Sequence, residues 1–194
     1  MNRNFLISLT TAAAVGFFSS TVAANEYEAA LKGLADEQIR VWAQDPAVVA
    51  AIKDQNKTSE NLSQSDIDSM DKKWRAETKG GASPMIDKVL ANDTSTFLKG
   101  VKEESQGTIT EIFVMDKKGL NVGQSDVTSD FWQGDEGKWK KTYAAGPDGL
   151  LIDDVEFDDS SQTYQSQVSV TIVDPETNVA IGAVTVGINV EMLE

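Results

Sequence analysis

The sequence predicts an α+β fold in which a helical layer comes first and an antiparallel sheet follows. Residues 25–106 are rich in Ala, Lys, Glu and Gln, and their apolar positions are spaced for helices. Residues 107–194 are rich in Val, Ile and Thr in alternating patterns, which are typical of half-buried strands. Helices followed by strands, rather than alternating with them, favour an α+β domain.

The composition fits a single domain and excludes several kinds of chemistry. The chain has 194 residues, of which 40% are hydrophobic, so one ordinary core is expected. With 17 Lys and Arg against 31 Asp and Glu, the formal charge is −14, and we expect no nucleic-acid partner. The absence of Cys and His from the sequence excludes disulfides, thiol nucleophiles and imidazole bases. We expect neither a cofactor nor enzyme activity.

The first 24 residues have the pattern of a secretory signal peptide. Arg3 gives a basic start, residues 5–18 are apolar or small, and small residues precede a cleavage site after Ala24. The apolar stretch is shorter than the roughly 20 residues that cross a bilayer, which argues against an uncleaved anchor. We therefore expect residues 25–194 to form the mature domain, and an acidic chain without Cys favours the bacterial periplasm.

The helical part is predicted to begin with a long amphipathic helix at residues 26–44. Its apolar side chains share one face, and they are Tyr27, Leu31, Leu34, Ile39 and Trp42. Asp45 is a good N-cap and Pro46 suits the first helical position. A second, short helical segment is therefore expected from Asp45 to Asp54.

Three more helices are predicted before the sheet. Ser65 with Asp68 three residues later imitates a capping box, so a helix is expected from there to about Thr78. Gly80 and Gly81 end this helix. The other two helices are expected at residues 84–91 and 94–103.

The second half is predicted to contain five antiparallel strands. The first two form a hairpin around a Lys-Lys-Gly turn at residues 117–119. A long loop at residues 126–149, with a helical turn at about 135–143, separates this hairpin from the other strands. The five strands are expected at residues 108–116, 120–125, 150–157, 162–173 and 179–190.

Several segments of the second half resemble an extracytoplasmic Cache, or PAS-like, sensor domain. They are Phe113-Val114-Met115-Asp116 before a Lys-Gly turn, Asn121 to Ser125, Thr128 to Glu136 followed by Lys138-Trp139, and Ile181 to Ile188. The resemblance covers most of residues 25–194 and is most specific in residues 113–190. It implies a single Cache domain whose long loop closes one face of a five-stranded sheet. Such a pocket would take a small metabolite, such as an amino acid or a carboxylate.

The resemblance also implies which residues hold the ligand. In amino-acid-binding members, a basic residue with a nearby Trp and Tyr on the long loop holds the carboxylate, and an Asp beyond the third strand holds the amine. By motif match, the loop roles fall to Lys138, Trp139 and Tyr143. The acidic role falls to Asp158 or Asp159. The chain departs from the family in offering Lys where Arg is usual.

The same stretch can be interpreted from its residues alone. Residues 138–143 place three lysines beside two aromatic side chains, an arrangement that suits a carboxylate ligand in an otherwise acidic protein. The alternative is an amphipathic turn in which Trp139 packs inward and the lysines are solvated.

Four further residues are candidates. Trp132 follows Phe131 in the long loop, and either Trp132 lines the pocket or both rings belong to the core. Asp135 lies in the most family-like stretch. Gln165 and Gln167 share one face of the fourth predicted strand, where they either meet solvent or hydrogen-bond inside the pocket.

The preferred function is a periplasmic sensor module that binds a small metabolite. Family members usually belong to a histidine kinase, chemoreceptor or cyclase, whereas this sequence ends at Glu194 without a transmitter, so we expect a separate membrane receptor or kinase as partner. The alternative is a ligand-free structural or interaction protein that dimerises through residues 26–44. A hydrolase with paired carboxylates is a third hypothesis, although abundant Asp makes some pair inevitable.

Residues 153–159 lack the Gly and the spacing of a calcium loop, so no metal is expected.

Overall fold

The structure, a computed structural model, describes residues 25–193. The predicted signal peptide at residues 1–24 lies outside the described residues. A helical layer followed by an antiparallel sheet confirms the predicted α+β fold class. Every helix between residues 25 and 193 is too short or too polar to span a bilayer.

The predicted first helix forms with a π-helical turn in its middle. It consists of α1 (Glu28–Leu34), the π-helical turn Ala35–Ile39 and α2 (Arg40–Trp42). Its buried core residues lie four positions apart, and they are Leu31, Ala35, Ile39 and Ala43. Because this spacing exceeds the 3.6 residues per turn of an α-helix, the wider turn keeps all four on the face that packs against the sheet.

The packing of this helix restricts the predicted dimer surface. Leu31 is fully buried in the same core as the strand residues, and Leu34 is partly buried against that core. The large apolar side chain that this helix exposes is Val41, which is 66% accessible. A dimer through residues 26–44 stays a prediction, but its contacts would involve the face that carries Val41 rather than Leu31.

Four helices complete the helical layer. They are α3 (Pro46–Ser59), α4 (Gln64–Glu77), α5 (Pro84–Leu90) and α6 (Asp93–Glu104). Asp45 caps α3 as predicted, because its carboxylate accepts a hydrogen bond from the Ala47 N–H at 2.8 Å. The predicted end of this helix at Asp54 is wrong, since α3 continues to Ser59.

The capping box of α4 forms two residues earlier than predicted. Ser63 and Asp66 make it, with the Asp66 carboxylate accepting from the Ser63 N–H at 2.9 Å. Ser65 and Asp68 have the same spacing but lie inside the helix. The helix therefore begins at Gln64.

The sheet contains six strands where five were predicted. They are β1 (Ile109–Met115), β2 (Asn121–Gln124), β3 (Leu150–Ile152), β4 (Glu156–Asp158), β5 (Thr163–Val173) and β6 (Ala180–Asn189). Their order is β2-β1-β6-β5-β3, all antiparallel, and β4 also pairs with β5. The predicted strand at residues 150–157 is thus divided at residues 153–155, and its two pieces lie along the same edge of β5.

The two faces of the sheet bury different chemistry. On one face, Val168, Val170 and Ile172 of β5 pack with the first helix and α3 in the main hydrophobic core. On the opposite face, Ser169 and Thr171 are buried although they are polar. The predicted alternation is confirmed. The polar face is buried because the segment at residues 126–149, which contains α7 (Gly137–Lys140), lies over it.

One buried carboxylate joins the layers. Asp116 follows β1 and is fully buried. One of its oxygens accepts from the backbone N–H groups of Lys118 at 2.8 Å and Leu120 at 3.0 Å, and the other accepts from the Gln55 amide of α3 at 3.2 Å. Its backbone carbonyl accepts from the indole N–H of Trp139 on α7 at 3.2 Å. Asp116 therefore ties the β1–β2 turn to elements on both faces of the sheet.

We expect Asp116→Ala to lower the free energy of unfolding by about 3 kcal/mol, because the substitution removes the acceptor of the Lys118 and Leu120 backbone N–H groups at a buried position. Urea denaturation measures this loss. The control is Asp148→Ala in the exposed loop, which should change stability by less than about 0.5 kcal/mol. Equal stability of the two variants would show that the carboxylate does not hold the turn.

Candidate functional site

The candidate site is an acidic cleft at the sheet edge formed by β3 and β4. Its volume is about 370 Å³, which suits a small ligand. Its lining combines carboxylates with amides and one aromatic ring, and consists of Asp153, Asp154, Glu156, Phe157, Asp158, Gln165 and Gln167. Between residues 25 and 193, no group of three or more acidic side chains is arranged to hold a metal ion.

The break between β3 and β4 creates this cleft. The N–H of Asp153 donates to the Gln167 carbonyl at 2.9 Å, and the Asp153 carbonyl accepts from the Ser166 hydroxyl at 2.6 Å. The strand ladder then stops until Glu156 pairs with Gln165. The carboxylates of the break consequently line the cleft instead of following the strict alternation of a continuous strand.

Two carboxyl groups at this site, those of Glu111 and Asp153, lie in surroundings that disfavour their charged forms. Gln167 donates its amide N–H to Glu111 Oε1 at 2.8 Å. Burial raises the pKa of Glu111 above its ordinary value, with Gln167 and Lys138 acting in the opposite direction. Burial likewise raises the pKa of Asp153, against the positive charges of Lys138 and Lys141. Perturbed carboxyl groups beside a cleft are typical of functional sites.

Lys138 supplies positive charge to the same site. It lies on α7 with its side chain 15% accessible, and its Nζ is 2.8 Å from Glu136 Oε2. The Nζ also lies 5.4 Å from the centre of the Phe113 ring, a cation–π contact that helps to hold the ammonium group in place. The positive charge of Lys138 acts on both Glu111 and Asp153, and its ammonium group already has Glu136 as a carboxylate partner.

Trp139 and Tyr143 support the site from the core rather than lining the cleft. Their ring centres are 5.3 Å apart, and both rings pack against a small cluster that contains Phe113 and Met115. Burial raises the pKa of Tyr143, and the charge of Asp116 acts in the same direction. Both rings fix α7 on the sheet, which positions Lys138.

The structure places Trp132 away from the acidic cleft. Its indole N–H donates to the Lys118 carbonyl at 2.8 Å, and the ring packs on a second apolar cluster that contains Trp74 and Phe131. Asp71 of α4 accepts the backbone N–H groups of Phe131 at 2.9 Å and Trp132 at 3.1 Å. Phe131 and Trp132 therefore both anchor the long loop in the core, which was the second of the two interpretations of this pair.

The three acidic candidates lie in two different environments. Asp135 and Asp159 are exposed and lie outside the lining of the cleft. Asp158 lines the cleft, but its carboxylate holds the following turn by accepting from the Ser160 hydroxyl at 2.6 Å and the Ser161 N–H at 2.7 Å.

The acidic residue that directly follows the third strand is Asp153. The sequence pattern extends this strand to Phe157 and so selects Asp158 or Asp159, whereas β3 ends at Ile152. Glu111 was also missed. Its position on the same strand face as Phe113 and Met115, opposite the apolar Ile112 and Val114, is the sequence signal that could have identified it.

Solved structures that are similar to this chain include sensor domains of chemoreceptors and histidine kinases. The sensory domain of the Campylobacter jejuni chemoreceptor Tlp3 is 14% identical over 86% of this chain and 63% of its own, with a TM-score of 0.41. The E. coli DcuS sensor domain is 15% identical over 83% of this chain and 92% of its own, with a TM-score of 0.47. The V. cholerae DctB sensor domain is 15% identical over 84% of this chain and 57% of its own, with a TM-score of 0.36.

The chain spans less than two thirds of the Tlp3 and DctB domains and most of the DcuS domain. No protein-family model matches the sequence, and a comparison with curated proteins finds no match. Because the three TM-scores are below 0.5, the fold class depends on the element order and the strand pairing described above.

We expect Glu111→Gln to stabilise the unliganded protein by about 1 kcal/mol at neutral pH, because a neutral amide avoids the burial of a charge. A raised pKa means that folded Glu111 holds its proton more tightly than the unfolded chain does. Its contribution to stability is therefore complete below the ordinary pKa of 4.5 and declines as the pH rises through the folded value.

Thermal unfolding of both proteins across acidic and neutral pH measures this difference. The advantage of Glu111→Gln should be present at neutral pH and disappear below the ordinary carboxyl pKa. Glu103→Gln on the exposed side of α6 is the control and should show no such trend. A stability gain of Glu111→Gln that does not change with pH would contradict the raised pKa of Glu111.

Proposed function

We propose that this protein is a sensor module, rather than an enzyme, and that its acidic cleft binds a small zwitterion of the amino-acid type. The observation that carries the proposal is that Asp153 and Gln167 line one small cleft, that Gln167 donates a hydrogen bond to Glu111, and that the charge of Lys138 acts on both carboxyl groups. An amino acid has an ammonium and a carboxylate group. The two half-buried carboxylates suit the first, and Lys138 suits the second.

The raised pKa values support an ammonium ligand. Burial is the main factor that disfavours the charged forms of Glu111 and Asp153, neighbouring carboxylates act in the same direction, and the opposing lysine charge does not overcome them. A cation that enters the cleft would favour both charged carboxylates, so its binding energy includes relief of this penalty.

The amides of the cleft are already positioned. The Thr110 hydroxyl donates to Gln165 Oε1, and Gln167 donates to Glu111. Side chains that are fixed before binding lose little conformational freedom when a ligand arrives. This preorganisation supports the earlier assignment of both glutamines to the pocket.

Asp153, rather than Asp158 or Asp159, is the proposed amine partner. The Asp158 carboxylate is engaged by Ser160 and Ser161, and Asp159 is exposed outside the cleft. Lys138 would exchange its present partner, Glu136, for the ligand carboxylate. The Glu136 side chain is 35% accessible, so water can solvate its carboxylate when Lys138 turns to the ligand.

We further propose that the module works in the periplasm and acts through a membrane receptor or kinase. The signal-peptide pattern of residues 1–24 supports the location. The resemblance of residues 113–190 to Cache sensor domains supports the signalling partner.

Thermal-shift measurements with a panel of amino acids and organic acids test the ligand class, and calorimetry gives the affinity of any ligand found. We expect Asp153→Asn and Lys138→Met each to weaken binding about tenfold or more, because each removes one charged partner. The 2-hydroxy acid that matches the best amino acid should bind worse than the amino acid, since it lacks the ammonium group.

Two matched variants serve as controls. Asp159→Asn changes an exposed acid near the same turn, and Lys140→Met changes an exposed lysine on α7. Both should bind the ligand as the unchanged protein does. Equal binding by Asp153→Asn and Lys138→Met, or equal affinity for the hydroxy acid, would overturn the proposal.

A further inference from the structure

A second cleft lies on the helical side of the molecule, where α3, α4 and α5 meet β2. Its volume is about 520 Å³, and it shares no lining residue with the acidic cleft. The sheet order places β2 at one edge and β3 at the other, so the two clefts lie at opposite edges of the sheet. A molecule bound in one would not contact the other.

The wall of this second cleft is mainly apolar. Leu62, Met70 and Met85 are half-buried on the same cluster as Phe131, and all four line the cleft. Methionine side chains are flexible and polarizable, and they make favourable contacts with aromatic rings. An apolar wall that contains two methionines suits an aromatic ring.

Ser59 provides an unpaired polar group inside the cleft. The side chain is 2% accessible, and its hydroxyl has no hydrogen-bond partner among the described residues. A buried hydroxyl without a partner costs about 1–3 kcal/mol. A ligand with a hydrogen-bonding group at this depth would remove that cost.

Two lysines border the cleft in an otherwise acidic protein. Lys73 of α4 and Lys88 of α5 are exposed and line it. Lys73 Nζ is 3.9 Å from Glu77 Oε1, and Lys88 has no ion pair within 4.0 Å in the part of the chain that the structure describes. Two cations beside an apolar wall favour an anionic ligand.

We propose that the second cleft binds an aromatic carboxylate that carries a hydroxyl group. Its carboxylate pairs with Lys73 and Lys88, its ring lies against Met70 and Met85, and its hydroxyl meets Ser59. Each part of such a molecule has a matching group in the cleft. This site is independent of the amino-acid site proposed above.

The test uses 4-hydroxyphenylacetate, with phenylacetate as the analogue that lacks the hydroxyl. Calorimetry on the purified protein should show tighter binding of the first compound. Ser59→Ala should weaken binding of 4-hydroxyphenylacetate about fivefold and leave phenylacetate unchanged, because only the first loses a hydrogen bond. Removing an unpaired hydroxyl should not impair folding.

A second pair of variants tests the charge. Lys73→Glu combined with Lys88→Glu should weaken both compounds about tenfold, by replacing attraction with repulsion. Lys72→Glu combined with Lys79→Glu makes the same charge change at exposed positions outside the cleft and should have no effect. Amide chemical shifts should move in α3, α4 and α5 and not in α7.

Three results would overturn the proposal. They are no binding of either compound, equal weakening of both compounds by Ser59→Ala, and loss of binding in Asp153→Asn. The last result would place the compounds in the acidic cleft. Binding that survives Asp153→Asn and is lost in Lys73→Glu/Lys88→Glu supports the second cleft whatever the outcome for amino acids.

Discussion

The carboxylate of Asp116 is the group on which the arrangement of the layers depends. A buried charge is tolerated only where donors surround it, and here two backbone N–H groups and the Gln55 amide do so. The turn that it holds is also packed closely from outside. Gly119 has φ +81°, and a Cβ there would lie 2.5 Å from the Cα of Gly134 in the long loop. The β1–β2 turn therefore fixes the helices on one side and the loop that carries Lys138 on the other.

The sequence predicted the parts of the fold that local patterns determine. The first helix, the β1–β2 hairpin and the alternation of β5 follow from residue spacing alone. The extension of α3 to Ser59 does not, because residues 55–59 are polar and α3 is held there by distant contacts. Asn56 donates to the Ile181 carbonyl at 2.7 Å and accepts from the Lys117 N–H at 2.8 Å. Ser63 and Ser65 each have an Asp three residues later, and the structure uses Ser63 as the N-cap.

The candidate site was predicted less completely than the fold. Lys138, Gln165 and Gln167 were selected because motif and strand parity are visible in the sequence, and the structure places both glutamines in the lining of the cleft. Asp153 was missed, since the break at residues 153–155 is set by how two short pieces pair with β5. Trp132 was assigned to the pocket because a large aromatic ring in a loop must pack against other apolar groups. In the structure, those groups belong to a cluster that contains Trp74, more than fifty positions earlier in the chain.

The division of the predicted third strand into β3 and β4 also affects whether copies of this protein can pair through their sheet edges. The central strands β5 and β6 are 11 and 10 residues long, whereas β2 has 4 residues and β3 and β4 have 3 each. Both edges of the sheet therefore offer only short rows of free backbone groups, and one is interrupted by Asp153 and Asp154. Short, charged edges discourage strand pairing between molecules. The break that opens the acidic cleft thus also protects a long, Val-rich and Ile-rich sheet from aggregation.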